Sequence, residues 1–252
     1  MTSAYNPAKI GDLVYSLPAI HRRGGVDTYF IKRPEVAKYL KPLLESQPYI
    51  DTVVQADNPP AGVTIDFSDY QSFYRLMLRC DLISLNCMVA GVRTHQFPLK
   101  ISGVSLRSTH VKYMNCDIDL DEHRDLQMWR PNQRWLTNIE PIHKSDIIIN
   151  LTERYHDWNN EKHNPIFHFD YTLLKDYDCG FIGWDNEYDL FCDRYGFSPR
   201  RIHNTDALEV AQYIAGSKLF VGAASSAKAI AEGLKHPMLM EISKDWPDDL
   251  PK

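Results

Sequence analysis

The sequence predicts an α/β fold of two Rossmann-like halves, each a parallel sheet covered by helices. Four short apolar runs recur in its C-terminal part: Asp146–Asn150 (DIIIN), Cys179–Gly183 (CGFIG), Lys218–Gly222 (KLFVG) and Pro237–Glu241 (PMLME). Segments of helical periodicity separate them. The runs are continuously apolar rather than alternating, the pattern of strands buried on both faces of a parallel sheet. Ligands of such sheets bind at the carboxyl ends of the strands.

In chain order, Gly11–Gly25 reads as a helix, with Asp12 near its start and Gly24-Gly25 at its end. Pro18 lies inside it and predicts a kink or an early stop. Val26–Ile31 reads as a strand, Pro34–Ser46 as a helix, and Asp51–Ala56 and Val63–Phe67 as short strands flanking a loop at Asn58-Pro59-Pro60. Residues 98–146 have weak periodicity and no long element. The junction is placed near Pro141–Ser145, dividing the chain into halves at 1–143 and 144–252. Four helices follow: Phe167–Tyr177; Asn186–Gly196, with Tyr188, Leu190, Phe191 and Tyr195 apolar; Asp206–Gly216; and Ser225–Leu234.

Composition bounds the class. The chain has 252 residues, 44% hydrophobic and 24% charged, enough to bury a core. No run of about 18 apolar residues predicts a membrane span, and the first residues do not read as a signal peptide. The five cysteines, Cys80, Cys87, Cys116, Cys179 and Cys192, form no CxxC pair, which fits reduced thiols in a cytoplasmic protein. The net charge of −5 argues against a surface that grips nucleic acid everywhere. Residues 93–112 nonetheless hold Arg93, His95, Lys100, Arg107, His110 and Lys112 without an acid, either a solvated loop or a patch that meets an anionic acceptor.

Three segments offer chemistry. Asp12, after Gly11, sits in a first helical turn where the helix dipole favours a carboxylate; it is an ordinary helix-start residue or a general base. After KLFVG, Gly222 ends a strand, Ala223 and Ala224 turn, and Ser225 and Ser226 open a helix. Small residues before a helix N-terminus let amides approach a diphosphate, and N-capping by either serine does not prevent this. Beyond the strand ending in Asn150, Arg154 is suited to bidentate phosphate recognition, or is a surface cation. Trp184, after CGFIG, would stack on a nucleobase or cap the sheet edge. Histidine spacing suggests no metal site, and there is no GxGxxG, Walker or GxSxG motif.

These segments carry a resemblance. Ile10–Ile20 (IGDLVYSLPAI) resembles the opening signature of glycosyltransferase family 9, the ADP-heptose heptosyltransferases, and Leu208–Pro237 resembles its C-terminal signature. Residues 149–159 and Cys179–Gly196 are similar to the strands and helix that open its C-terminal domain. The resemblance implies the GT-B architecture, two Rossmann-like domains facing a cleft, here with a trimmed N-terminal domain and a first strand that is short or missing. It implies Asp12 as the base on the acceptor hydroxyl and no metal or other cofactor, a nucleoside-diphosphate sugar being the co-substrate. Gly11, Asn150, Arg154, Trp184, Gly222, Ser225, Ser226 and Lys228 fall on the donor side, Arg93 and His95 on the acceptor side. Where the family reads "NDSGPMH", this chain has Ala223–Ala229, with Ala224 for the acid, Ala229 for the histidine and Lys228 as a new cation.

The expected function is a metal-independent inverting transfer of a sugar to a hydroxyl on a saccharide, a glycolipid or a hydroxylated base of phage DNA. The alternative, from Ala224 and Ala229, is a non-catalytic nucleotide-sugar or glycan-binding module on the same scaffold. A sugar-nucleotide epimerase of similar shape is a third reading.

Overall fold

The computed structural model describes residues 2–68, 134–152, 165–167 and 169–243. The chain divides into two compact units, Met1–Trp135 and Leu136–Lys252. The sequence places the junction at 143/144. The strap beginning at Leu136 belongs instead to the second unit, because Leu136 N–H donates to Gly233 and Ile142 N–H to Gln212.

The first unit is a four-stranded parallel sheet in the order β3-β2-β1-β4. Its strands are β1 (Ser3–Asn6), β2 (Val26–Ile31), β3 (Ile50–Gln55) and β4 (Ile65–Asp66). The first strand is present but only four residues long. Helix α1 (Ile10–Arg22) joins β1 to β2, and α2 (Pro34–Glu45) joins β2 to β3. Pro18 neither kinks α1 to a stop nor shortens it: the helix runs on to Arg22. Its end is set by Gly25, at φ 98°, whose N–H returns to the Ile20 carbonyl. A Cβ there would meet the Tyr49 carbonyl oxygen at 2.6 Å, so glycine is required by space as well as by φ. Leu13, Leu17 and Ile20 of α1 and Leu40, Leu43 and Leu44 of α2 are buried with Tyr29, Ile31 and Val53 of the sheet. These positions recur at three- and four-residue spacing on each helix, as an amphipathic stripe does.

The second unit is a five-stranded parallel sheet in the order β10-β9-β5-β7-β8. The strands are β5 (Ile147–Asn150), β7 (Cys179–Phe181), β8 (Arg200–Arg201), β9 (Leu219–Gly222) and β10 (Met238–Met240). A separate antiparallel ribbon pairs β6 (Pro165–Phe167) with β11 (Ile242–Ser243). The helices are α3 (Asp185–Tyr195), α4 (Ala207–Ala215) and α5 (Ser226–Gly233). All four residues of β5 are buried, which explains its unbroken apolar run. The Asp206 carboxylate caps α4 by accepting from the N–H groups of Leu208 and Glu209 at 2.8 and 3.0 Å. Gly196, at φ 66°, closes α3.

One expectation is corrected. Phe167–Tyr177 is not one helix: Phe167 pairs across to Ile242 in the ribbon, and only Tyr171–Leu174 form a 3-10 turn. Asp170 starts that turn, its side chain accepting from Thr172 N–H, while Leu173 and Tyr177 lie exposed and supply no buried stripe. In α3, Phe191 is buried but Leu190 is exposed. Phe191 packs with Tyr171, Phe181, Tyr195 and Phe197 at ring-centroid distances of 4.9 to 5.4 Å. Among the described residues no helix is long and apolar enough to cross a membrane.

Candidate functional site

Each sheet reverses its winding once. In the second unit the chain enters at β5, winds through β7 to β8, then returns on the other side through β9 to β10. The reversal lies between β5 and β9, and such a switch point leaves a crevice at the strands' carboxyl ends. There Asn150 and Gly222 are register partners. Ala223 N–H donates to the Asn150 carbonyl at 3.2 Å, and Glu241 N–H donates to the Gly222 carbonyl at 2.8 Å. A Cβ on Gly222 would collide with the Asn150 carbonyl oxygen, so the turn needs glycine for close approach.

Helix α5 starts immediately behind this turn. Ser225 is its N-cap, and its hydroxyl accepts from Lys228 N–H at 3.1 Å. That satisfies one first-turn donor and leaves the amides of Ser226 and Ala227 facing the crevice end of the helix. Donors so arranged, with the positive end of the helix dipole, favour an anion.

Asn150 is 5% exposed. Its Nδ2 donates to the Ile182 carbonyl at 2.6 Å, while its Oδ1 is buried without a hydrogen-bond partner among the described residues. The Thr152 hydroxyl, two residues on, is likewise unpartnered. On the next strand, Gly183 and Trp184 follow β7. Trp184 is 75% exposed at the N-cap of α3, and its N–H donates to Glu187 at 2.8 Å. Arg201 ties down the same corner, donating to the Gly183 carbonyl at 2.6 Å and to Asp185 at 2.8 Å. Its hydrogen bond, then its charge, hold the Asp185 carboxyl below its ordinary value.

The structure gives Lys228 a different setting from the one expected. Its ammonium is buried and lies 2.9 Å from Glu232, one helical turn on, which is also buried. The cation is thus engaged inside the packing of α5. Lys235 lies nearby, its amine held below the ordinary value by burial, against the pull of Glu232.

Glu241 is a site-edge residue that the sequence reading left inside a strand. It follows β10 directly, is buried, and accepts from Phe169 N–H at 3.2 Å. Burial first, and this carboxylate second, push the Tyr171 and Tyr195 hydroxyls above their ordinary value. An acid directly after the last apolar run was the available signal.

In the first unit the reversal lies between β1 and β4. Helix α1 leaves the carboxyl end of β1, and Gly11 and Asp12 occupy its first turn, both half-buried. Its N-cap, Lys9, makes no side-chain cap bond. The Asp12 carboxylate therefore stands at the positive end of α1, beside that sheet's own switch point. Beneath it, Tyr29 ties Asn6 to Ser16 by hydrogen bonds of 3.2 and 2.7 Å. Burial pushes the Tyr29 hydroxyl above its ordinary value, so it stays protonated and the link stays neutral.

Asn150, Gly222, Ser225, Ser226 and Trp184 thus share one edge of the second sheet, while Gly11 and Asp12 lie on the corresponding edge of the first. Arg154, Arg93 and His95 lie outside the described residues. His143, Asp146 and Asp178 bring potential metal-ligand atoms within 4.8 Å of one another, which histidine spacing did not suggest. They lie at the amino ends of the strands, opposite the crevice, and each carboxylate already meets a cation: Asp146 with Lys218, Asp178 with Arg200.

No protein-family model matches the sequence, and no curated protein matches it. Solved structures do. The E. coli heptosyltransferase WaaC with ADP aligns at a TM-score of 0.53 and 11% identity, over 95% of this chain and 86% of that one. WaaC with ADP-2-deoxy-2-fluoro heptose gives 0.50 and 12%, over 95% and 87%. Their likeness to this chain is one of fold, an α/β fold of the GT-B-like type, and they are the heptosyltransferases to which the two sequence signatures pointed.

Proposed function

We propose that the protein is a glycosyltransferase that moves a sugar from a nucleoside-diphosphate sugar to an acceptor hydroxyl. The observation that supports this most is the switch point of the second sheet. There Gly222 brings the end of β9 close against the Asn150 carbonyl, and the capped first turn of α5 behind it presents amides to an anion. The solved structures of this fold include one with ADP and one with an ADP-sugar analogue, which supports a nucleotide sugar as the ligand.

In this reading the diphosphate lies over Gly222, Ser225 and Ser226, and Trp184 offers a platform for the base. Asp12 acts as general base on the acceptor hydroxyl. The hydroxyl oxygen attacks the anomeric carbon, the bond to the diphosphate oxygen breaks, and configuration inverts. The acceptor proton passes to Asp12, and the helix dipole and amides stabilise the departing nucleoside diphosphate. No step uses a metal. The acceptor is a saccharide or glycolipid hydroxyl, or a hydroxylated base of phage DNA, with Arg93 and His95 on its side. The setting is cytoplasmic.

The test is a thermal-shift panel of ADP-, GDP- and UDP-sugars, followed by turnover of whichever binds. A bound donor raises the melting temperature by mass action. No shift with any of them overturns the donor site. Binding without turnover, with every acceptor class supplied, replaces the transferase with a binding module. Free sugar isomers without acceptor point to an epimerase.

A further inference from the structure

Asn150 holds one feature that a diphosphate seat does not explain. Its Nδ2 is committed to the Ile182 carbonyl, which fixes the amide: turned over, it would set oxygen against oxygen. The Oδ1 is thereby left as a buried acceptor with no partner among the described residues, in a side chain only 5% exposed. An unmet buried acceptor is costly, and it selects for a ligand that brings a donor. Phosphate oxygens at neutral pH bring none.

Position decides which donor. Asn150 ends β5, between β9, which leads to the α5 amides, and β7, which leads to Trp184. Adjacent strands are about 4.8 Å apart, so the ends of β9 and β7 are separated by about 10 Å along the sheet edge, with the end of β5 midway. A nucleotide whose diphosphate meets α5 and whose base meets Trp184 lays its ribose over Asn150.

We propose that Asn150 is the ribose-reading residue of the donor site, its Oδ1 accepting a hydrogen bond from a ribose hydroxyl. This rests on the donor-site reading above. It makes the protein selective for ribonucleoside over deoxyribonucleoside diphosphates.

The experiment is calorimetric titration of the full chain with ADP, GDP and UDP, then with the 2′-deoxy and 3′-deoxy forms of the tightest binder. The wild type is expected to lose about tenfold in affinity for one deoxy form, the worth of one hydrogen bond. Asn150→Ala is expected to bind ribo and deoxy forms alike, whereas Trp184→Ala weakens all three equally and keeps the wild-type ratio. The ratio is internal to each protein, so modest destabilisation cancels, and the wild-type ratio alone is informative should Asn150→Ala fail to fold. Equal wild-type affinity for all three forms overturns the proposal, as a buried water satisfying Oδ1 would produce. Unchanged discrimination in Asn150→Ala overturns it too. If no ribonucleoside diphosphate binds, the donor-site reading itself has failed, which is a different result from binding without discrimination.

Discussion

Asn150 and Gly222 face each other in register at the carboxyl ends of β5 and β9, with no room between them for a Cβ. The clash a side chain would make is with the backbone carbonyl of Asn150, not with a rotatable group. Gly222→Ala must therefore part the two strands where Ala223 N–H bonds to Asn150. The expected cost is about 1–3 kcal/mol, typical of overpacking. Donor affinity should also fall, because the turn before α5 moves with the strand. Urea denaturation and donor titration read the two effects. A variant that melts with the wild type and binds donor equally contradicts the close approach.

The buried Lys228–Glu232 pair leads to a second expectation. Removing one partner strands the other charge away from water, so Lys228→Met should cost about 3–5 kcal/mol. Lys228→Met combined with Glu232→Leu replaces the pair by apolar groups of similar size and should regain most of that loss. Donor affinity of the double variant separates packing from ligand contact. Unchanged affinity fits the ion pair; a drop beyond tenfold means that Lys228 leaves Glu232 for the ligand.

What could be read beforehand follows the range of the interactions. Helices α4 and α5 were legible because their stripes and their caps, Asp206 and Ser225, are local in sequence. The central strands were legible because burial on both faces makes them uniformly apolar. Strand β8 was not, since it consists of two arginines. Arg200 is held by Asp178, and Arg201 by the carbonyl beyond β7, partners far away in the chain. The 3-10 turn at Tyr171 was read as a helix because the competing partner of Phe167, Ile242, comes only in the last strand. Of the site, Gly222, Ser225 and Ser226 were readable as a turn. The orphan oxygen of Asn150 and the burial of Lys228 depend on Ile182 and on packing, which no local pattern encodes.

Cys179 supplies a pH-dependent expectation. Burial, then the Asp178 carboxylate, push its thiol up to about 11 from an ordinary value of 9.0. Only the thiolate is nucleophilic, so alkylation at pH 8 should run about two orders of magnitude slower than for a free cysteine. The folded state holds this proton more tightly than the unfolded one. Its contribution to stability is therefore whole below about pH 9 and is lost as pH rises through about 11. Mass-spectrometric mapping after timed iodoacetamide exposure checks the rate. Labelling of Cys179 as fast as in urea-unfolded protein contradicts it.

The group His143, Asp146 and Asp178 bears on metal dependence. Lys218 and Arg200 already balance its two carboxylates, and it lies at the amino ends of the strands. EDTA treatment should therefore leave donor turnover unchanged, and His143→Ala should do the same. Activity lost to EDTA and restored by a divalent ion overturns the metal-independent mechanism. Activity lost to EDTA but retained in His143→Ala further places the ion elsewhere.

Asp12 separates an enzyme from a binding module. It stands in the first turn of α1, on a different unit from the Gly222 turn, so donor binding should survive its replacement. Asp12→Asn keeps the size and polarity of the side chain but removes the base. Turnover should fall by about 10²–10⁴-fold, the usual worth of general base catalysis. The donor-induced melting shift should remain that of the wild type. Turnover lost together with donor binding would mean that the carboxylate shapes the fold rather than takes a proton. Turnover retained within a fewfold would remove Asp12 from the mechanism and leave the acceptor proton to another group.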